Sequence, residues 1–92
     1  MSIKRVELRV TGKVQKVGFR WCSQKAAERI GLSGFCKNMP DGSVQIQVQG
    51  NEEDVNRFIS WAYHGVPDAT VDQVETLPMD IVADEKDFSI RY

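Results

Sequence analysis

The stretch Gly12-Lys13-Val14-Gln15-Lys16-Val17-Gly18-Phe19-Arg20 holds the residues best suited to chemistry. It leads from an alternating apolar segment into a helical one, so its second half falls at a helix N-terminus. Backbone N–H groups there lack intrahelical partners and the helix dipole favours negative charge, so the place is receptive to an anion. Arg20 adds a planar fork that matches phosphate or carboxylate. The stretch is neither a Walker loop nor a dinucleotide fingerprint, and an ordinary strand-to-helix loop with a surface arginine would have the same spacing. An arginine at a helix start opposes the dipole, however, and an anionic partner would account for it.

Other candidates have plainer roles. Asn38 precedes the turn Pro40-Asp41-Gly42 and, on local grounds, caps a strand end; Asp41 and Gly42 are turn formers. Glu52, Glu53 and Asp54 follow Asn51 and suit the positive end of a helix dipole better than paired-carboxylate catalysis. His64, the only histidine, falls near a helix C-terminus and cannot by itself make a metal site. Cys22 and Cys36 have neither metal-ligand spacing nor an evident base, and read as small hydrophobes. With no Ser-His-Asp or Cys-His set, an enzyme built from this inventory would hydrolyse an already activated bond, with water as nucleophile and fixed donors as catalyst.

The elements that must position these residues follow from periodicity. Val6, Leu8 and Val10 alternate with Arg5, Glu7 and Arg9, as do Val44, Ile46 and Val48 with Gln45, Gln47 and Gln49. Both are strands with one dry face. Phe35 to Asn38 is a shorter strand that forms a hairpin with the second of these across Pro40-Asp41-Gly42. Cys22, Ala26, Ala27 and Ile30 mark a helix from about Arg20 to Ile30, closed by Gly31. Val55, Phe58, Ile59 and Ala62 mark a second, capped by Asn51 and ended by Gly65-Val66-Pro67. Val71 to Leu77 is a strand with weaker alternation, and Phe88, Ile90 and Tyr92 suggest a last, extra one. The order β-α-β-β-α-β predicts an α+β, ferredoxin-like two-layer sandwich, with an antiparallel sheet and two helices on one face. The first two strands are then parallel, joined by a right-handed crossover, and the Gly12–Gly18 loop and Asn38 share one edge of the sheet.

Composition narrows the function classes. The chain has 92 residues, 41% of them hydrophobic and 27% charged, which predicts one domain, 1–92, with a single modest core. Twelve Lys and Arg against 13 Asp and Glu leave a net charge of −1, which argues against holding nucleic acid by bulk charge. The strands lack the aromatic platform of an RNA-recognition domain, and a copper carrier's paired cysteines are absent from the first loop. No apolar run approaches the roughly 18 residues of a membrane span. Met1 to Arg9 is charged and alternating rather than a signal peptide, so the expected compartment is the cytoplasm. Lys4, Arg5, Arg9, Lys13, Lys16 and Arg20 bias positive charge toward the N-terminal fifth, where it would steer a small anion.

Gly12-x-Val14-Gln15-x-Val17-x-Phe19-Arg20 resembles the acylphosphatase signature. The likeness continues through Ala27, Gly31-Leu32-x-Gly34, Asn38, Asp41-Gly42-Ser43-Val44 and Gly50. It resumes at Ala69-x-Val71-x-x-Val74 and ends with Phe88-x-Ile90-Arg91-Tyr92, so it spans essentially the whole chain. It implies hydrolysis of the carboxyl–phosphate bond of acyl phosphates to carboxylate and inorganic phosphate. By the same resemblance, Arg20 binds the phosphate and Asn38 orients the attacking water. The backbone N–H groups of Gln15, Lys16, Val17, Gly18, Phe19 and Arg20 form the phosphate cradle. The expected partner is a small acyl phosphate, with no metal or organic cofactor, no nucleic acid and no membrane. A monomer is the plain expectation. Similar domains also occur inside large carbamoyl-transfer proteins, and the length points to a free-standing enzyme. The alternative is a phosphate-binding regulatory module on the same fold without turnover. One position departs from the pattern: the family usually has glycine where this chain has Lys16, a steric cost if that residue needs positive φ. Its side chain is assigned no role.

Overall fold

In the computed structural model, which describes residues 2–92, alternation settles the first strand: Val6, Leu8 and Val10 of β1 (Ile3–Lys13) all point to the buried side. β3 (Val44–Asn51) repeats the pattern with Val44, Ile46 and Val48, and pairs antiparallel with β1, Leu8 opposite Ile46. β2 (Ser33–Asn38) forms the expected hairpin with β3, Cys36 opposite Ile46 and Asn38 opposite Val44. The turn between them closes through Met39 N–H to Ser43 O (2.8 Å) and Gly42 N–H to Met39 O (3.1 Å).

Two helices cover the dry face. α1 (Phe19–Ile30) buries Phe19, Ser23, Ala26 and Ala27, and Gly31 closes it in the left-handed conformation (φ 97°). The stripe is rotated relative to the one periodicity suggests: Cys22 and Ile30 lie half-buried at its margins, and Ser23 takes the centre. A small side chain there lets α1 approach the sheet closely. α2 (Glu52–His64) buries Val55, Phe58 and Ala62; Asn51 caps it by accepting the N–H of Glu53 at 3.0 Å, with Glu52, Glu53 and Asp54 in its first turn.

β4 (Thr70–Met79) pairs antiparallel with β1 alone, at one edge. That position explains its weak alternation, since most of its side chains face solvent on both sides. β5 (Phe88–Arg91), the extra strand, closes the other edge in the order β4-β1-β3-β2-β5. It pairs with β2 in parallel, Cys36 opposite Ile90, so the sheet is mixed rather than antiparallel throughout. The parallel pairing arises because the 80–87 segment carries the chain back across the sheet before β5 begins. The layers, the crossovers and the one-sided helices are those of the ferredoxin-like sandwich. Because β1 and β2 are both antiparallel to β3, their C-terminal ends meet at the same edge.

Candidate active site

That shared edge carries the candidate residues. Beyond Lys13 the chain leaves the sheet, and Val14 drops into the core as the anchor of the loop. Gly18 (φ 79°, ψ 19°) turns the backbone into α1 with no side-chain cap, and α1 has no acidic residue in its first turn. Cys22 N–H reaches Gly18 O at 3.0 Å, the first bond of the helix. Among the described residues, no acceptor takes up the N–H groups of residues 15–21. A run of free donors at the positive end of a helix is a seat for an anion. The buried ring of Phe19 meets Trp61 edge-on at 6.0 Å and so fixes where that end sits over the core.

Arg20, on the first turn of α1, lines a pocket of about 210 Å³ together with Lys16, Gly18, Phe19 and Asn38. Asn38 arrives from the end of β2, half-buried, and its side chain makes no hydrogen bond to any described residue. The tertiary structure thus gathers Arg20 and Asn38 with Lys16, Gly18 and Phe19, three further residues of the expected cradle, around one cavity. Gln15 and Val17 are not among its lining residues. Val17 packs against the core instead. The Gln15 carboxamide donates to Met39 O (2.8 Å) and Ser43 O (2.9 Å), which leaves only the backbone of these two residues for a cradle.

Several positioning contacts escaped sequence reasoning. The Gln15 contacts clamp the loop that carries the free N–H groups to the turn that follows Asn38. The Arg20 guanidinium donates to Arg91 O at 3.2 Å and lies 4.7 Å from the Tyr92 ring centroid, a cation–π distance. Two of the arginine's sides are thereby held by the end of β5, and the fork is preorganised. The only signal for this in the sequence is the Arg91-Tyr92 pair that closes the family likeness. Trp21 also borders the pocket, 60% exposed, with the Lys25 ammonium 5.6 Å from its ring centroid.

Lys16 adopts φ 64°, so the position does require the left-handed region. A side chain there costs roughly 1 kcal/mol. Beneath the site, Cys36 donates its thiol to Arg20 O at 3.5 Å; burial pushes that thiol up to about 12, against the pull of the Arg20 guanidinium. Cys22 and Cys36 are both free, and only Cys36 is fully buried. Asp41 is a turn former, as expected. It accepts the Ser43 hydroxyl (2.6 Å) and the Ser43 N–H (2.9 Å), and these bonds hold its carboxyl below the ordinary range.

The chain is similar in sequence and fold to known proteins. The acylphosphatase family model matches residues 6–90. An acylphosphatase of Caldivirga maquilingensis is 47% identical over 89 residues, covering 96% of this chain and 94% of the relative. One from Geobacillus kaustophilus is 41% identical over 90 residues, covering 98% and 96%. Among solved structures, the acylphosphatase of Bacillus subtilis superposes with a TM-score of 0.92 at 31% identity, covering 99% of this chain and all of the other. The chain belongs to the acylphosphatase family, and as a member it is an acylphosphatase enzyme.

Proposed function

We propose that this enzyme hydrolyses small acyl phosphates with phosphate held by Arg20 and the backbone N–H groups of residues 15–20, and with the attacking water oriented by Asn38. Acyl phosphate hydrolysis in general follows from the family; the division of labour among residues is our inference. The observation that carries it is one pocket lined by Arg20, Asn38, Lys16, Gly18 and Phe19, at a helix N-terminus whose first N–H groups have no acceptor among the described residues.

The chemistry is consistent with this inventory. The leaving group is a carboxylate whose conjugate acid has a pKa of about 4, so no strong general acid is needed. Phosphoryl transfer is loose, and positioning with charge stabilisation supplies most of the catalysis. Arg20 and the N–H groups face the equatorial oxygens, where charge is spread in the transition state. The Asn38 carboxamide, free of other partners, holds water in line with the breaking O–P bond. Water oxygen bonds to phosphorus, the electron pair of the O–P bond leaves with the carboxylate, and the water proton passes to a phosphate oxygen. No protein base is required. On these grounds turnover needs neither metal nor organic cofactor, and a pocket lined by one chain's own residues lets a monomer act.

The test is hydrolysis of a simple aromatic acyl phosphate with a metal chelator present. Wild type should turn over. Arg20→Ala and Asn38→Ala, with circular dichroism confirming folding, should each lose about 10²–10³ in rate. Losses below about tenfold in folded variants would overturn the roles, and folded wild type without turnover would favour a phosphate-binding module that does not catalyse.

A further inference from the structure

Lys16 is an outlier. Among the described residues only Lys16 and Asp84 combine a side chain with positive φ. Asp84 is the expected kind of exception, because a short polar side chain can bond locally in that conformation. A lysine gains nothing from its own backbone there. Glycine would satisfy the loop at no steric cost, and strain of this sort concentrates where a site uses it. The side chain so retained lines the phosphate pocket and is exposed rather than packed. Among the described residues it has no ion-pair or hydrogen-bond partner. Three acids, Glu7, Asp41 and Glu85, are engaged elsewhere, with the Gln45 amide, Ser43 and Arg5 respectively.

We propose that the Lys16 ammonium is a second phosphate-binding cation, added to Arg20 at the mouth of the cradle; this rests on the phosphate-binding role given to the pocket above. An unpaired ammonium on a flexible stem beside a row of free N–H groups meets a phosphate as a point charge. Arg20 is held from behind by Arg91 O and Tyr92, so it acts as a fixed fork, while Lys16 follows the ligand in and out. Its contribution is to ground-state binding of substrate and product alike, and so falls on KM and on inhibition by inorganic phosphate rather than on kcat.

The substitutions Lys16→Gly and Lys16→Met separate this from a merely solvated lysine. Both should raise KM for a small acyl phosphate and weaken inorganic phosphate binding, read by calorimetry, by about three- to tenfold, with the deficit shrinking as salt rises. Only Lys16→Gly relieves the backbone, so its Tm should rise on the order of 4 °C while Lys16→Met stays near wild type. A glycine variant that is more stable and weaker in phosphate binding is a combination that a structural role does not produce. Higher Tm with unchanged KM and phosphate affinity would overturn the proposal. Folded wild type that binds phosphate without turnover would sink the catalytic assignment and leave Lys16 testable by binding alone. No phosphate binding by wild type would sink both.

Discussion

At the scale of the residue, the candidate site offers groups that no carboxylate engages. Arg20 and Asn38 are available because the fold supplies neither with a carboxylate partner. The thiol beneath them is the opposite case. Cys36 is fully buried, and its raised pKa keeps it neutral, whereas Cys22 is half-buried. A thiol reagent at neutral pH should therefore label one cysteine per folded molecule, Cys22, and label both only after denaturation; mass spectrometry of the labelled peptides reads this directly. The pH dependence has a definite sign. A neutral thiol buried in the fold has a folded pKa above its unfolded value, so its contribution is fully present below about pH 9 and is lost as pH rises toward about 12. Replacing Cys36 by Ala should flatten stability in that alkaline window and leave the region below it unaltered in slope. Asp41 has the reverse sign: its lowered carboxyl pKa means that its hydrogen bonds to Ser43 support the turn above the ordinary carboxylate range and fade only in stronger acid.

At the scale of the element, two contacts hold β2 and the turn after Asn38 in place. The first is the Gln15 clamp across the β1–α1 loop and the β2–β3 turn. Gln15→Leu keeps the volume and removes both hydrogen bonds, leaving Met39 O and Ser43 O with only their backbone partners, the N–H groups of Gly42 and Met39. It should lower kcat by at least tenfold through misplacement of the loop and cost about 1–3 kcal/mol in urea unfolding. Equal stability with unchanged kcat would show the clamp to be idle. The second is the close approach of β2 to β3 at Gly34 (φ 141°), where a Cβ would meet the Gln47 carbonyl. Gly34→Ala should therefore cost more than 3 kcal/mol or prevent folding, measured by chemical denaturation. The elements themselves were largely legible. Strict alternation in β1 and β3 and the helical spacing around Phe58 left little freedom, because a register slip of one residue would move every valine to the wet face. β5 was legible as a strand but not as a parallel one. Its partner lies far off in sequence, and alternation carries no information about strand direction.

At the scale of the whole molecule, the open face of the sheet is held by a network that no local pattern announces. Arg5 is 3% exposed and pairs with Glu85 at 2.7 Å, while its Nε donates to Gln47 at 2.8 Å. Gln49 exchanges two hydrogen bonds with the Val82 backbone, donating at 2.9 Å and accepting at 2.8 Å. Together these fasten the 80–87 segment across β1 and β3 and deliver the chain to β5, whose end holds Arg20. Glu85→Ala strands a buried guanidinium and should cost about 3–5 kcal/mol, whereas the pair Arg5→Met with Glu85→Ala should cost much less than the sum of the two. A double-mutant cycle in urea gives the coupling, and additive costs would show the pair to be unimportant. Because Arg20 is braced from β5, Glu85→Ala should also lower kcat before it abolishes folding.

The residues that can bind an anion, the loop that presents them and the order of strands and helices are all determined by sequence, because each depends on residue type or on spacing within one element. The family likeness extends the same information to Asn38, which local physics reads as no more than a strand-end residue. Tertiary structure alone decided that Arg20 and Asn38 face one pocket, that Gln15 and the Arg91 carbonyl position them, and that Lys16 bears a left-handed backbone beside the cradle. These are long-range facts. They depend on which strand ends meet once β1, β3, β2 and β5 lie side by side, and nothing in the spacing of one segment encodes the position of another.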